Sequence, residues 1–388
     1  MKLFDTAAIR KADEVTTQNQ NITSFQLMER AAREVFLWLK KTFPDKETVF
    51  HVFCGQGNNG GDGYLIAALL KGDGYITFLN PVYTSGTLSP DNVAASRVAE
   101  GKELHPSVEI SSFGKGKAVV IDAIFGIGLN REPAEEVAAA IEMINNSGAA
   151  VVSIDVPSGM FMGRPAATCV RSNYVLTFQF PKLAFYMPCY YEVTGQVVII
   201  DIGLDKEYLQ HTPSEYVLTT PEDAFHLYRK PSPYAHKGTQ GHALIIGGSH
   251  GKVGAAILSS KAALLSGCGL VTAYIPECGY NAMQSTFPEA MALTSGDRYI
   301  TDISFDIQQA AIAIGPGLGQ SPDTQAALRD FLNLQQMPLV IDADALNILS
   351  YHKEMIPLLP AGSVITPHPK ELQRLIGDYA DDFEKLEK

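Results

Sequence analysis

Asp122 and Asp155 each close an apolar run of strand type, where a carboxylate needs a partner or a chemical task. Each opens a polar, glycine-bearing turn: Asp122 to Glu132, and Asp155-Val156-Pro157-Ser158-Gly159. A third such turn, Gly55 to Gly63 (GQGNNGGDG), lies between the apolar run Thr48 to Cys54 and the helix-type run Tyr64 to Leu70. Glycines let the backbone turn sharply and approach a ligand. A helix N-terminus behind them offers free N–H groups and a positive dipole end, a combination that binds phosphate. Asn58, Asn59 and Asp62 add side chains suited to a ribose, an amide or a cation. Asp155 is the candidate general acid/base. Lys182, in the segment TFQFPK, either faces the same cleft or is a solvated surface lysine. Oxygen ligands from Asn59, Asp122 and Ser158 suit a hard cation. Histidines do not cluster at zinc-ligand spacing. The competing reading of either aspartate is a helix cap or loop staple.

Gly55-x-Gly57-x-x-Gly60 matches the dinucleotide fingerprint literally, yet two details depart from an ordinary dehydrogenase. The run continues as Gly61-Asp62-Gly63 where helix is expected, and the next strand ends on Asn80 rather than on a ribose-binding acid.

These turns must be carried by regular elements. Residues 5–42 predict two helices, the second capped by Thr23 or Ser24. Apolar runs at 48–54, 75–79, 118–122 and 149–154 alternate with helical segments at 63–71, 90–100 and 133–146, and strands at 174–178 and 196–200 follow. Such alternation predicts a doubly wound, Rossmann-like, three-layer α/β domain, whose ligands sit beyond the carboxyl ends of the strands. A stretch rich in Pro and His, 229–238, interrupts the pattern, and a second α/β series begins with strand 242–246 and helix 253–266. Its further strands are expected at 269–275, 310–314, 338–342 and 362–366. The boundary falls near residue 220, giving domains 1–219 and 220–388.

Composition narrows the partners. A chain of 388 residues with 46% hydrophobic residues suits two sizeable cores. A formal net charge of −12 disfavours nucleic acid and anionic membrane surfaces. Five widely spaced cysteines without a CxxC pair suit a reducing, cytoplasmic setting. No apolar stretch reaches the length of a membrane span, and the N-terminus lacks the apolar region of a signal peptide.

The second series also carries glycine-rich and acidic strand ends. Gly247-Gly248-Ser249 precedes a helix containing Gly254. Gly315-Pro316-Gly317-Leu318-Gly319 follows an apolar run, Asp342 to Asn347 places two acids at a strand end, and Thr366 to Glu371 includes His368. Turn chemistry alone is the competing reading of the glycines, and a structural role that of His368.

Residues 1 to about 215 resemble the epimerase domain of NAD(P)H-hydrate repair enzymes. The resemblance rests on Met28-Glu29-Arg30-Ala31-Ala32, GQGNNGGDG, DAIFGIGL, DVPSG and TFQFPK. It implies interconversion of the R and S epimers of hydrated NADH or NADPH. It implies substrate contacts at Asn58, Asn59, Gly60, Gly61 and Asp62, at Gly126, Ile127, Gly128, Leu129, Asn130, Arg131 and Glu132, and at Asp155. It further implies potassium at Asn59, Asp122 and Ser158. Arg131 is also a candidate on the phosphate side, and Arg30 departs from the small residue more usual there.

The second series resembles the ribokinase-like dehydratase domain of the same enzymes, through HKGTQGHALIIGGS, GPGLG, DADALN and TPHPKE. This implies ADP-dependent removal of water from the S epimer, with magnesium as a further cofactor, and hydrate contacts at Gly254, Gly317 and His368. The family's glycine–aspartate motif lies beyond the TPHP segment, and the chain stops before it. The second domain is therefore expected to be incomplete and inactive as a dehydratase. Resemblance also implies self-association into a homo-oligomer. Two other functions compete: a ribokinase-like small-molecule kinase, which needs the same motif, and a non-catalytic nucleotide-binding scaffold, which has no need of Asp122, Asp155 and the asparagine-rich run together.

Overall fold

The computed structural model describes residues 1–84, 86–102, 104, 117–307 and 310–388. It divides into two compact units, Met1–His226 with Asp381–Glu387, and Leu227–Ala380 with Lys388.

The first unit opens with β1 (Lys2–Leu3), α1 (Thr6–Gln20) and α2 (Ser24–Thr42). Thr23 caps α2 through a reciprocal pair with Gln26, the two bonds being 3.1 and 2.8 Å. Such a cap stabilises a helix by about 1 kcal/mol. A six-stranded parallel sheet follows, built from β2 (Val49–Cys54), β3 (Ile76–Pro81), β4 (Ala118–Ala123), β5 (Ala150–Ile154), β6 (Tyr174–Phe178) and β7 (Gln196–Ile200). Its order is β3-β2-β4-β5-β6-β7, with crossovers that include α3 (Asn58–Gly72), α4 (Pro90–Glu100) and α5 (Glu135–Asn145). Every residue of β2 and β4 is buried, as expected of central parallel strands covered on both faces. On one face Val35, Leu39, Phe50, Val52, Ile66 and Leu70 form the main core; on the other, Ile124, Ile141 and Ile144 pack over Val120.

Two features differ from the sequence-based expectation. The glycine-rich run is not a loop ahead of a helix, because α3 begins at Asn58, five residues before the expected start. The glycines are what permit this: a Cβ on Gly60 would lie 1.9 Å from the Gly55 carbonyl oxygen, and one on Gly61 2.7 Å from Met28 Sδ. Tight packing of the first turns, rather than loop flexibility, requires them. Secondly, β1 pairs antiparallel with β8 (Tyr216–Val217), joining the two ends of the unit. Strands of two residues carry no periodic signal.

The second unit holds a second six-stranded parallel sheet. Its strands are β9 (His242–Ile246), β10 (Leu270–Ile275), β11 (Met291–Thr294), β12 (Ala310–Ile314), β13 (Leu339–Ile341) and β14 (Val364–Ile365), in the order β11-β10-β9-β12-β13-β14. Edge strand β11 was not expected: its apolar run, Ala290 to Leu293, is short, and at the sheet edge the strand is mostly exposed.

Candidate active site

In the first unit one cavity of about 970 Å3 opens beyond the carboxyl ends of β2, β4, β5 and β6. This is where ligands sit in doubly wound sheets. One wall is the start of α3, with Asn58, Asn59 and Asp62. Another is the turn after β4, from Ile124 to Ala134. Asp155 and Lys182 line it from the ends of β5 and β6, and α1 contributes Arg10, Asp13 and Thr17.

Asp155 sits just past β5 with φ of 62°, the left-handed region that costs a non-glycine residue energy. Its backbone N–H is held by the Leu176 carbonyl at 2.8 Å. The turn after β6, also with a positive φ at Gln179, brings Lys182 back over it. Lys182 Nζ donates to Asp155 Oδ1 at 2.5 Å and to Thr177 Oγ1 at 2.6 Å. Lys182 is 2% exposed and Asp155 8% exposed, so this is a buried ion pair and not a surface lysine beside an acid.

Asp122 is fully buried and engaged on both oxygens. Oδ1 accepts from Ser158 Oγ at 2.5 Å and from the Ile124 N–H at 3.3 Å; Oδ2 accepts from Ser153 Oγ at 2.7 Å and from the Ser158 N–H at 2.8 Å. Burial pushes its carboxyl upward, and the Ser158 and Ser153 bonds oppose that shift. Asp122 thus ties the turn after β4 to the DVPSG turn. Ser158 extends the tie by accepting from the Phe125 N–H at 2.9 Å. Fully buried Asn92, from α4, fixes the run before α3 by donating to the Gly55 and Gly57 carbonyls at 2.9 and 2.7 Å.

Two further carboxyls face the cavity and have no hydrogen-bond partner among the described residues. Asp62 is pushed well above the usual carboxylate range, first by burial and then by the charges of Asp155, Asp13 and Asp91. Asp13 is pushed up to about 6, first by burial and then by the Asp155 charge, with Lys182 opposing.

Of the expected contacts, Asn58, Asn59, Asp62, Asp155, Lys182 and residues 126–132 all line the cavity. Gly60 and Gly61 do not: they face the Gly55 carbonyl and Met28, because the chain is already helical there. Gly126 lies between two functional side chains, its Cβ position 3.4 Å from Asp155 Oδ2 and 3.6 Å from Asn59 Cβ. Asp122 and Ser158 are directly bonded to each other behind the cavity wall, while Asn59 lies on the wall itself. The contribution of α1 was missed. Arg10, Asp13 and Thr17 share one helix face by spacing, but a polar stripe on a helix normally reads as a solvated surface.

In the second unit Gly317 (φ 63°) packs so closely on the segment preceding Gly254 that a Cβ would lie 2.5 Å from the Lys252 carbonyl oxygen. Ser249 Oγ donates to the Gly317 carbonyl at 2.8 Å. Asp344 accepts from the Gly319 N–H at 2.9 Å, from Gln320 at 3.1 Å and from Lys252 Nζ at 3.2 Å. Burial works against the Asp344 carboxylate, but these donors hold it below its ordinary range. Gly254 and Gly317 are therefore brought to one edge. His368 lies after β14, two strands away from β12, where Nδ1 accepts from the Lys370 N–H at 3.1 Å and caps the helix Pro369–Ile376.

Two parallel α/β units, the first with a nucleotide-sized cavity of mixed polar and apolar lining around a buried acid–lysine pair, define a two-part α/β enzyme. The comparisons with known proteins name its kind. Residues 24–184 match the family model described as YjeF-related protein N-terminus, and residues 243–387 match that of NAD(P)H-hydrate dehydratase. The chain is 31% identical to a bifunctional NAD(P)H-hydrate repair enzyme of Dictyoglomus turgidum, over 99% of this chain and 78% of that protein. It is likewise 31% identical to the enzyme of the same name from Escherichia coli, over 97% and 72%. A solved ADP/ATP-dependent NAD(P)H-hydrate dehydratase from Bacillus subtilis, co-crystallized with ATP and magnesium, is 29% identical, covering 44% of this chain and 58% of that one at a TM-score of 0.35. The chain belongs to the family of bifunctional NAD(P)H-hydrate repair enzymes, which join an epimerase to a dehydratase. The alignments run through both units of this chain and span 78% and 72% of those two relatives' own lengths.

Proposed function

We propose that residues 1–219 carry the epimerase chemistry at the cavity described above, and that residues 220–388 correspond to the nucleotide-dependent dehydratase unit of the family. The observation that supports the first assignment best is the buried Asp155–Lys182 pair, at 2.5 Å, on the wall of a 970 Å3 cavity.

A hydrated dihydronicotinamide carries its hydroxyl on a carbon beside the ring nitrogen. Epimerisation breaks that C–O bond while the nitrogen lone pair forms C=N+, and the hydroxyl takes a proton and leaves as water. Water then adds to the other face and returns a proton. Asp155 is the acid/base at this carbon, and Lys182 sets its position. Asn58, Asn59 and Asp62 hold the nicotinamide end, and residues 126–132, with Arg131, hold the phosphate side.

Potassium is proposed at the oxygen set of Asn59, Asp122 and Ser158, where Asp122 and Ser158 would have to exchange their mutual bond for the ion. Asn59 Oδ1 is buried without a partner among the described residues, and every donor is an oxygen, which suits a hard cation. When bound, the ion would supply a fixed positive charge beside the α3 start. In the second unit Gly254, Gly317 and His368 are the proposed hydrate contacts, with ADP and magnesium as cofactors. The proposal includes a homo-oligomer acting in the cytoplasm. Among the described residues all five cysteines are free thiols, and no helix is long and apolar enough to cross a membrane.

The test is chromatographic separation of the R and S hydrates of NADH after incubation with the protein and potassium, with and without ADP. Faster equilibration of the epimers without ADP supports the epimerase assignment, and epimer rates equal to those without protein would overturn it. ADP-dependent return of NADH would show the second unit active as a dehydratase, against the expectation from its missing motif.

A further inference from the structure

An epimerisation that loses water from one face and regains it on the other asks for proton transfer on both faces, and one carboxyl fixed to one wall serves one face best. The cavity supplies two further partnerless carboxyls: Asp62 stands at the start of α3 among the residues assigned above to the nicotinamide end, and Asp13 comes from a separate element. Asp13 projects from α1, outside the sheet, into the same space that Asp155 and Lys182 enter from the ends of β5 and β6. Half-buried, it makes no hydrogen bond or ion pair among the described residues. The two groups differ in kind: Asp155 Oδ1 is committed to Lys182, Thr177 and the Phe178 N–H and only its Oδ2 is without a bond among the described residues, whereas both oxygens of Asp13 are left to the cavity. A half-buried carboxyl without a partner is a standing cost to the fold, which makes a chemical task the better reading of its presence.

We propose that Asp13 is the second proton-transfer residue of the epimerase site, serving the face of the hydrated ring opposite to Asp155. This rests on the epimerase assignment above. In one direction Asp13 gives its proton to the departing hydroxyl, which leaves as water as C=N+ forms. Asp155 then takes the proton of the water that adds to the other face. Each turnover leaves Asp13 charged and Asp155 protonated, and proton exchange with water in the open cavity restores the starting pair; in the reverse direction the roles exchange, and no net proton, electron or water is consumed. Burial and the Asp155 charge push the Asp13 carboxyl up to about 6, which suits a group that must be both donor and acceptor. The charged groups that bear on it are Asp155, Lys182 and Glu14, and Arg10 and Asp62 share its cavity.

The experiment compares wild type with Asp13→Asn and Asp13→Glu on the whole chain. It measures initial epimerisation rates of both hydrates between pH 5 and 8.5, and hydrate affinity by calorimetry. Asp13→Asn is expected to lower kcat by roughly 10^2-fold or more, leave affinity within about threefold, and erase the limb of the pH profile near pH 6. Asp13→Glu, which keeps the carboxyl, is expected to restore part of the rate and shift that limb. Wild-type rate in Asp13→Asn, or loss of affinity in proportion to rate, would overturn the proposal while leaving the epimerase assignment standing. An inactive wild type would overturn the assignment itself, and this proposal with it. A thermal melt accompanies each variant; should Asp13→Asn not fold, rate and pH limb unchanged in Asp13→Glu would overturn the proposal.

Discussion

Lys182 Nζ lies 2.5 Å from Asp155 Oδ1 with both residues nearly excluded from water, so each charge depends on the other. Removing one member of such a pair strands its partner, at a cost of about 3–5 kcal/mol, whereas removing both is far milder. Lys182→Met should therefore lower unfolding stability by that amount and abolish epimerisation. Asp155→Asn/Lys182→Met should regain most of the stability and none of the activity. Denaturant titration with the hydrate assay checks both, and a stable single Lys182→Met would show that the pair is solvated.

Gly126 faces the cavity between Asp155 and Asn59, with ordinary van der Waals room for a Cβ at 3.4 and 3.6 Å. Gly126→Ala should leave stability within about 1 kcal/mol of wild type, yet fill the space between the two functional side chains. Hydrate affinity should weaken about tenfold, or about 1.4 kcal/mol. Calorimetry reads the affinity, and unchanged binding would place the ring elsewhere.

Asp122 holds four donors from three residues and no cavity surface of its own. Asp122→Ala leaves the hydroxyls of Ser153 and Ser158 and two backbone N–H groups short of an acceptor in a dry site. A loss of about 2–4 kcal/mol is expected. A variant as stable as wild type would mean that the two turns are held by other contacts.

Asp13 titrates higher in the folded protein than in the unfolded chain, 3.8 rising to about 6. Between those values the folded state binds more protons, so stability falls as pH rises through the window, and the full penalty stands above pH 6. Asp13→Asn removes it. The variant should be more stable than wild type at pH 7.5, by at most about 3 kcal/mol, and lose that advantage at pH 4. Urea melts at the two pH values decide this; an equal gain at both would rule out titration of Asp13 as the cause.

Much of the frame was legible because parallel strands covered on both faces need uninterrupted apolar runs. Thr48 to Cys54 and Ala118 to Asp122 are such runs, and they became β2 and β4. The glycine and acid punctuation at their ends marked the cavity edge, and Asp155 with the 126–132 turn was found there. Edge strand β11 and the pairing of β1 with β8 were not legible, because the apolar run of β11 is short and strands of two residues carry no period.

The order of residue types along the chain thus determined two α/β units, their strand ends and the acids and asparagines placed at those ends, since these follow from local hydrophobic pattern and turn chemistry. Only the tertiary structure decided that Lys182 is buried on Asp155 across 27 residues, that Asp122 is a staple, and that α1 delivers Asp13 to a site whose other acid lies 142 positions further on. Those outcomes depend on which surfaces meet when the sheet closes and on how much water is left between them, and neither quantity is written in the local sequence.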